Sequence, residues 1–238
     1  METWWFLALE FAVAITLIVM SKRQPFPGPS NRYGNILLVI ALLFLIGETS
    51  PRETDVQAHL FFLLIYGSLG LVRGVQNMLV NRDEVIVAPF AGFLFSISAT
   101  AMMAEQWGSL SVVEEYAAFG TIVLLGGGQT WLVFRGLLIG RLPLAWSKAG
   151  LVALQRGQIS GEHGAIECFE KSWDLEEEHL NPMAWTALEK IQTFLGNESE
   201  SEHWKKRLAE SGGQDAVAKE WLEAIDSALN KINPKEEE

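Results

Sequence analysis

Few residues of this 238-residue chain could do chemistry inside an apolar segment. Glu10 is the only charge within the apolar stretch from Trp4 to Met20. A carboxylate at that depth in lipid is costly unless it is paired or protonated, so an ionisable residue there is a candidate functional residue. The alternative is that Glu10 faces the interior of a helix bundle or a headgroup defect.

A second candidate is the segment Gly126-Gly127-Gly128-Gln129-Thr130, near the middle of another apolar stretch. Three consecutive glycines weaken a helix by about 1 kcal/mol each relative to alanine. A phosphate-binding loop is excluded, because no Gly-Lys-Ser/Thr follows. The glycines could admit a neighbouring helix, or they could break the helix and expose backbone to a substrate cavity. The predicted intramembrane polar site consists of Glu10, Gly127, Gln129 and Thr130.

The other polar residues lack the spacing of a catalytic, cofactor or metal site. His163, His179 and His203 have no metal-ligand spacing. Cys168 falls on a predicted apolar helix face without a His or Asp partner, so it is interpreted as a core residue. A single cysteine also excludes an intrachain disulfide. We therefore predict no enzyme activity, no cofactor and no metal site.

Five apolar stretches must position Glu10 and the glycine segment. A membrane-spanning helix needs about 20 mostly apolar residues. The predicted spans are residues 4–20, 33–47, 59–80, 85–104 and 116–140. The first is not a secretory signal, since it lacks a basic n-region and a small-residue cleavage site. Residues 1–141 are therefore predicted to form a five-helix transmembrane domain.

The basic residues between these stretches predict the orientation of the chain. Seven of the eight Lys and Arg residues within 1–141 lie beside or after the first, third and fifth stretches, and Arg52 is the exception. The positive-inside rule places those gaps in the cytoplasm. We therefore expect a multi-pass protein of the cell membrane with its N-terminus outside and residues 142–238 in the cytoplasm.

Small residues recur at every fourth position of the fourth stretch. The five positions are Ala88, Gly92, Ser96, Thr100 and Ala104. This spacing puts them on one helix face, where another backbone can approach closely. The centre of the predicted seam is Gly92, Ser96 and Thr100. It would serve packing within the chain or, alternatively, a homo-oligomer interface.

The remainder of the chain is acidic. Residues 142–238 hold 10 Lys and Arg against 19 Asp and Glu, so they supply most of the net charge of -11. Nucleic acid is excluded as a partner, because neutralising phosphates needs basic clusters. Apolar residues at a spacing of 3.6 predict a small helical domain over residues 142–233, followed by an acidic tail over 234–238.

Part of this helical domain resembles a tetratricopeptide repeat (TPR). The segment Ala-Trp-Ser-Lys-Ala-Gly (145–150) is followed by Gly157 and then by Ala-Ile-Glu-Cys-Phe-Glu-Lys-Ser (165–172). A second, degenerate unit follows. The signature positions are Trp146, Gly150, Ala165, Phe169 and Trp185. The turn over 159–164 is longer than in the family. The resemblance implies antiparallel helix pairs that bind peptides in a concave groove.

Together these features predict an all-α integral membrane adaptor or assembly protein that presents a TPR-like domain to other proteins. The alternative is a small transporter or channel subunit, or a membrane-embedded enzyme, that uses Glu10 and the polar and glycine features of spans four and five. A third interpretation is a structural homo-oligomer. The expected partners are the lipid bilayer and an unidentified cytoplasmic or membrane protein.

Overall fold

The structure is a computed structural model that describes residues 2–51, 54–81, 83–133, 142–174 and 181–232. The chain is 84% helical, and the described residues contain no strand, which confirms the predicted all-α class. The chain divides into two compact units, Met1–Ile139 and Gly140–Glu238.

The described residues of the first unit form α1 (Glu2–Ser21), α2 (Pro27–Glu48), α3 (Val56–Gln76), α4 (Val87–Gln106) and α5 (Val112–Val133). A π-helical turn, Asn77–Asn81, extends α3, and a 3-10 turn, Trp107–Ser109, extends α4. Within the described residues, four segments are long and apolar enough to cross a membrane. They are Thr3–Ser21, Pro27–Glu48, Val56–Asn81 and Val87–Ser109. The predicted fifth span runs to residue 140, and its part beyond residue 133 lies outside the described residues.

The second of these helices begins at Pro27 rather than at the predicted Tyr33. Pro27 and Pro29 fit the first helical turn, where a missing amide hydrogen leaves no bond unmade and the proline ring fixes a helical φ. The 22 residues of α2 then extend about 33 Å at 1.5 Å per residue. This length matches a hydrocarbon core of about 30 Å, whereas residues 33–47 alone would be short.

Glycines bring these helices into close contact. A β-carbon added at Gly67 of α3 would lie 2.6 Å from the backbone nitrogen of Phe95 in α4, and one at Gly74 would collide with the backbone of Ala88. Between α1 and α2, a β-carbon at Gly34 would lie 3.1 Å from the carbonyl oxygen of Ala14. Small residues therefore set the helix separations inside this unit.

The two units differ in the chemistry of their surfaces. Many large apolar side chains of the first unit are exposed, among them Ile46 (65%), Leu69 (65%) and Val72 (71%). In the described part of the second unit, Leu195 is the only exposed large apolar side chain. An apolar surface of this extent suits contact with lipid, whereas the described surface of the second unit is mostly polar.

The second unit contains α6 (Leu142–Gln155), α7 (Ala165–Asp174), α8 (Asn181–Phe194), α9 (Glu198–Glu210) and α10 (Lys219–Ile232). Consecutive helices from α6 to α9 pack against each other, and α10 returns to pack on α6 and α8. Gly157 and Gly196 follow α6 and α8 with positive φ (74° and 75°), the backbone conformation that ends a helix and favours glycine. One core unites the five helices and includes Leu154, Phe169, Leu188, Ile191, Trp204 and Ile225.

Candidate functional site

A buried histidine between two buried carboxylates joins three helices of the first unit. Glu10 comes from α1, Glu48 is the last residue of α2, and His59 lies in the first turns of α3. Glu10 and His59 are 0% exposed and Glu48 is 8% exposed. These three residues are named the Glu–His–Glu cluster below.

The two carboxylates face opposite nitrogens of the imidazole ring. His59 Nδ1 lies 3.0 Å from Glu10 Oε1, and His59 Nε2 lies 3.6 Å from Glu48 Oε1. Thr3 Oγ1 donates a hydrogen bond to the other oxygen of Glu48, Oε2, at 3.0 Å. The Phe44 ring stacks on the imidazole with 4.1 Å between centroids. Because a neutral imidazole carries one N–H, only the protonated ring can direct a donor at each carboxylate.

Ordinary helix geometry brings these groups together. Leu7, Glu10, Ala14 and Leu17 are all buried, and their spacing places them on one inward face of α1. Glu48 and His59 flank the short connection over residues 49–55, so they lie at the same end of neighbouring helices. That connection ends in the cap of α3, where Asp55 Oδ1 accepts a hydrogen bond from Gln57 N at 3.3 Å.

The net charge of the cluster depends on how many protons it holds. With a neutral imidazole and two ionised carboxylates, the cluster would carry two negative charges. Adding one proton leaves one negative charge, and adding a second makes the cluster neutral. Three of its polar atoms have no hydrogen-bond partner among the described residues: Glu10 Oε2, Glu48 Oε1 and His59 Nε2. Unpaired polar atoms and net charge are both costly in an apolar interior, so the protonation state of the cluster is coupled to the energy of the bundle.

A cavity of about 580 Å³ lies next to the cluster. Phe6 lines this cavity and also faces the His59 ring, with 6.5 Å between centroids. The same cavity is lined by the carboxylates of Asp55 and Glu105, and Glu105 accepts a hydrogen bond from the Gln57 amide. Phe6 therefore faces both the buried histidine and a space whose two acidic residues attract protons and other cations.

The predicted polar residues of α5 do not take part in the contacts of the cluster. Gln129 Nε2 instead donates a hydrogen bond to the carbonyl oxygen of Pro89 in α4 at 2.6 Å. Thr130 Oγ1 donates to the carbonyl oxygen of Gly126 in its own helix at 2.8 Å. A β-carbon at Gly127 would meet nothing within 4 Å. The predicted site is thus divided between two places in the bundle.

The predicted small-residue seam of α4 lies partly against α5. Gly92 and Ser96 line a cavity of about 280 Å³ together with Gly128 and Gln129. Thr100 is half-buried further along α4. Two of the three seam residues therefore contribute to contacts within this chain.

The TPR-like positions of the second unit are mostly buried. Trp146, Ala165 and Phe169 are at most 2% exposed, and Trp185 packs at the edge of the core. A β-carbon at Gly150 would lie 2.8 Å from Cε1 and Cζ of Phe169, so the absence of a side chain at this position leaves room for the Phe169 ring against α6. These residues form helix–helix contacts rather than an open chemical site.

Sequence reasoning identified Glu10 but missed Glu48 and His59, which were assigned to the ends of apolar stretches. The sequence signal that could have found them is the position of Glu48 and His59 on either side of one short connection, which places them at the same end of two helices. Glu84 was also missed. It is fully buried between α3 and α4, outside the membrane-length helices, and accepts hydrogen bonds from Ile86 N (2.6 Å) and Val87 N (2.8 Å). Burial raises the pKa of the Glu84 carboxyl to about 7.

Metal binding does not explain the Glu–His–Glu cluster. Among the described residues, no three His, Cys, Asp or Glu side chains are arranged to hold a metal ion. The carboxylates of the cluster lie on opposite edges of the ring, so they do not converge on one point as metal ligands do. Proton exchange remains the chemistry that this geometry favours.

The fold and the cluster together define a class: an all-α protein with a membrane-length helical bundle, a buried acid–histidine–acid cluster and a second helical unit of polar surface. Comparisons of the chain with protein-family models, curated proteins and solved structures gave no match.

Proposed function

We propose that this protein is an integral membrane protein whose bundle takes up and releases a proton at the Glu–His–Glu cluster, as a small transporter or channel subunit does. The observation that carries the proposal is the placement of His59 between two buried carboxylates, 3.0 Å from one and 3.6 Å from the other. A catalysed reaction is not part of the proposal.

A purely structural role accounts poorly for three ionisable groups at this place. Replacing a buried ion pair by apolar residues of similar volume is often neutral or stabilising, so such pairs are weak devices for stability. Ionisable residues inside membrane helices more often mark proton or ion pathways. The cavity beside Phe6 supports this function, because two of its lining residues, Asp55 and Glu105, are acidic and the Phe6 ring faces His59.

The orientation of the chain belongs to the same proposal. We infer that α5 is a fifth span, since its 22 residues extend about 33 Å and its first turn carries Glu114 and Glu115 but no basic residue. With five spans, the positive-inside rule places the second unit in the cytoplasm of a cell-membrane protein. The Glu–His–Glu cluster then lies toward the outer face, from which it would receive protons.

Proton flux through the full chain tests the proposal. The protein would be reconstituted into liposomes that contain a pH-sensitive dye, and an imposed pH gradient would drive the flux. We expect flux through the native chain and its loss in Glu10→Gln and His59→Gln. Glu115→Gln, which removes a carboxylate at the start of α5, is the matched control and should leave the flux unchanged.

Infrared difference spectroscopy gives a second, direct measurement. A protonated buried carboxyl group has a carbonyl stretch that disappears when it ionises, so a pH titration should show such a band in the native protein. Glu10→Gln should alter this band and Glu115→Gln should not. If the native chain shows neither proton flux nor a titrating carboxyl band, the proposal is wrong.

A second candidate function is a membrane adaptor whose cytoplasmic, TPR-like unit binds other proteins. The observation that favours it is the contact of Gly150 with Phe169, because the resemblance implies a close helix pair at these positions. However, α10 packs on α6 and α8, and Trp221 of α10 donates a hydrogen bond to the carbonyl oxygen of Met183 at 3.1 Å. An adaptor would therefore use the acidic outer surface or displace α10.

Purification in mild detergent from native membranes tests the adaptor function. The native chain would be compared with a variant in which Glu198, Glu200 and Glu202 on the exposed face of α9 are changed to lysine. We expect a co-purifying protein to be lost from the variant. A variant with Glu114→Lys and Glu115→Lys in the first unit controls for added charge. The adaptor function is contradicted if both variants retain the same proteins as the native chain.

A further inference from the structure

A polar cavity of about 550 Å³ lies between α2 and α3. It occupies the end of the bundle where α2 begins and α3 ends, so it is opposite to the Glu–His–Glu cluster, which lies where α2 ends and α3 begins. The polar residues that line it are Arg32, Tyr33, Arg73, Gln76, Asn77 and Asn81.

The cavity concentrates positive charge without a compensating acid. Arg32 of α2 and Arg73 of α3 both line it, and no Asp or Glu is among its lining residues in the described part of the chain. Neither guanidinium group forms a hydrogen bond or an ion pair with another residue that the structure describes. An arginine on a membrane-length helix is costly without an anionic partner or contact with headgroups. The cavity therefore has the electrostatics of an anion site.

A pair of tyrosines fixes the two helices that carry the arginines. The rings of Tyr33 and Tyr66 stack with 4.4 Å between centroids. Tyr33 Oη donates a hydrogen bond to the carbonyl oxygen of Tyr66 at 3.2 Å, and Tyr66 Oη donates to that of Tyr33 at 2.6 Å. The Tyr33 ring also lies directly against Gly70, one turn before Arg73. These contacts hold Arg32 and Arg73 at one cavity before a ligand arrives, which lowers the entropic cost of binding.

The donor set matches the chemistry of phosphate. A guanidinium group offers two parallel N–H donors to the oxygens of a phosphate, and the amides of Gln76 and Asn77 add neutral donors. Arg73 lies two turns before Asn81, the end of the π-helical turn, which is within the reach of a snorkelling arginine. Basic pockets between membrane helices are known places for phospholipid headgroups.

We propose that the cavity lined by Arg32 and Arg73 binds a phosphate group, either that of an anionic phospholipid or a soluble phosphate. The apolar side chains of Ile36 and Val87, which also line the cavity, suit the glycerol and acyl portion of a lipid. This site is independent of the Glu–His–Glu cluster, because the two share no residue.

Native mass spectrometry of the full chain tests the lipid source. The protein would be released from phosphatidylcholine nanodiscs that contain phosphatidylglycerol. We expect phosphatidylglycerol to remain bound to the native chain, with affinity reduced about tenfold or more in Arg32→Gln and in Arg73→Gln. Both substitutions replace exposed side chains, and unchanged helicity and thermal unfolding would establish that the variants fold. Arg23→Gln, an exposed arginine outside the cavity, should bind as the native chain does.

Calorimetric titration of the same proteins with inorganic phosphate tests the soluble source. Saturable phosphate binding that is lost in the Arg32→Gln, Arg73→Gln double variant supports the site and assigns it to a soluble phosphate. Lipid retention without phosphate binding supports the site and assigns it to a phospholipid. The proposal is overturned if neither ligand binds, or if Arg23→Gln weakens binding as much as the two cavity variants do.

Discussion

Replacing Glu10 and His59 separately and together measures how strongly the two side chains interact in the bundle. Coulomb's law gives an attraction of about 5 kcal/mol for unit charges 3.0 Å apart at an effective dielectric constant of about 20. Desolvation cancels much of this energy, and a charge-assisted hydrogen bond contributes a net of about 1.5–3 kcal/mol. Double-mutant cycles, which compare the two single variants with the double variant, give an average coupling of only about 0.6 kcal/mol for a neutral polar pair in a membrane protein. The coupling energy therefore distinguishes an ionised pair from a neutral one.

The assay is reversible unfolding of the full chain in mixed micelles, followed by circular dichroism, for the native protein, Glu10→Gln, His59→Leu and the double variant. We expect His59→Leu alone to reduce the free energy of unfolding by about 3–5 kcal/mol, because it leaves two buried carboxylates without their partner. The coupling energy between Glu10 and His59 should exceed about 1.5 kcal/mol.

A second cycle provides an internal control. Glu48 Oε1 lies 3.6 Å from His59 Nε2, beyond hydrogen-bond distance, so the coupling of Glu48→Gln with His59→Leu should be weaker than that of Glu10. A Glu10–His59 coupling below about 0.5 kcal/mol, or a stronger coupling for Glu48, would refute the reasoning, since independent sites add within that margin.

Further predictions concern packing and protonation elsewhere in the chain. Gly67→Ala should destabilise the bundle by about 1–3 kcal/mol in micelle unfolding, because the new methyl group meets backbone, whereas Gly127→Ala should stabilise by up to about 1 kcal/mol. The pKa of Glu84, raised by burial from 4.5 to about 7, means that the folded state binds this proton more tightly. Stability should therefore fall by about 3 kcal/mol as the pH rises from 4.5 to 7, and Glu84→Gln should abolish that slope. Burial raises the pKa of the Cys168 thiol to about 11, so at pH 8 alkylation followed by mass spectrometry should be at least about 100-fold slower in the folded than in the unfolded chain.

The sequence predicted the helical class and the positions of most helices, because apolar spacing and capping residues act locally. Asn181-Pro182 begins α8 and Gly196 follows its end, as expected of a capping residue, a first-turn proline and a helix-ending glycine. The start of α2 was predicted too late, since the predicted span began with the apolar run at residue 33 although proline is compatible with a first helical turn.

The contacts of the site required information that a single sequence does not carry. Gly70 and Gly74 stand four residues apart on α3, yet Gly70 meets Tyr33 of α2 and Gly74 meets Ala88 of α4. Periodicity shows which face is small or apolar but not which helix covers it. In the same way, the lone charge of Glu10 indicated a candidate site, whereas its pairing with His59 depends on how α1 and α3 pack.

The return of α10 onto α6 and α8 affects the order in which the second unit can fold. The Trp221 ring packs edge to face on Phe169, with 6.0 Å between centroids. This contact cannot form until about fifty residues after Phe169 have been synthesised. During that interval the faces of α6 and α8 that α10 covers in the folded unit lack their partner helix. The core of the second unit is therefore complete only after α10 has been synthesised.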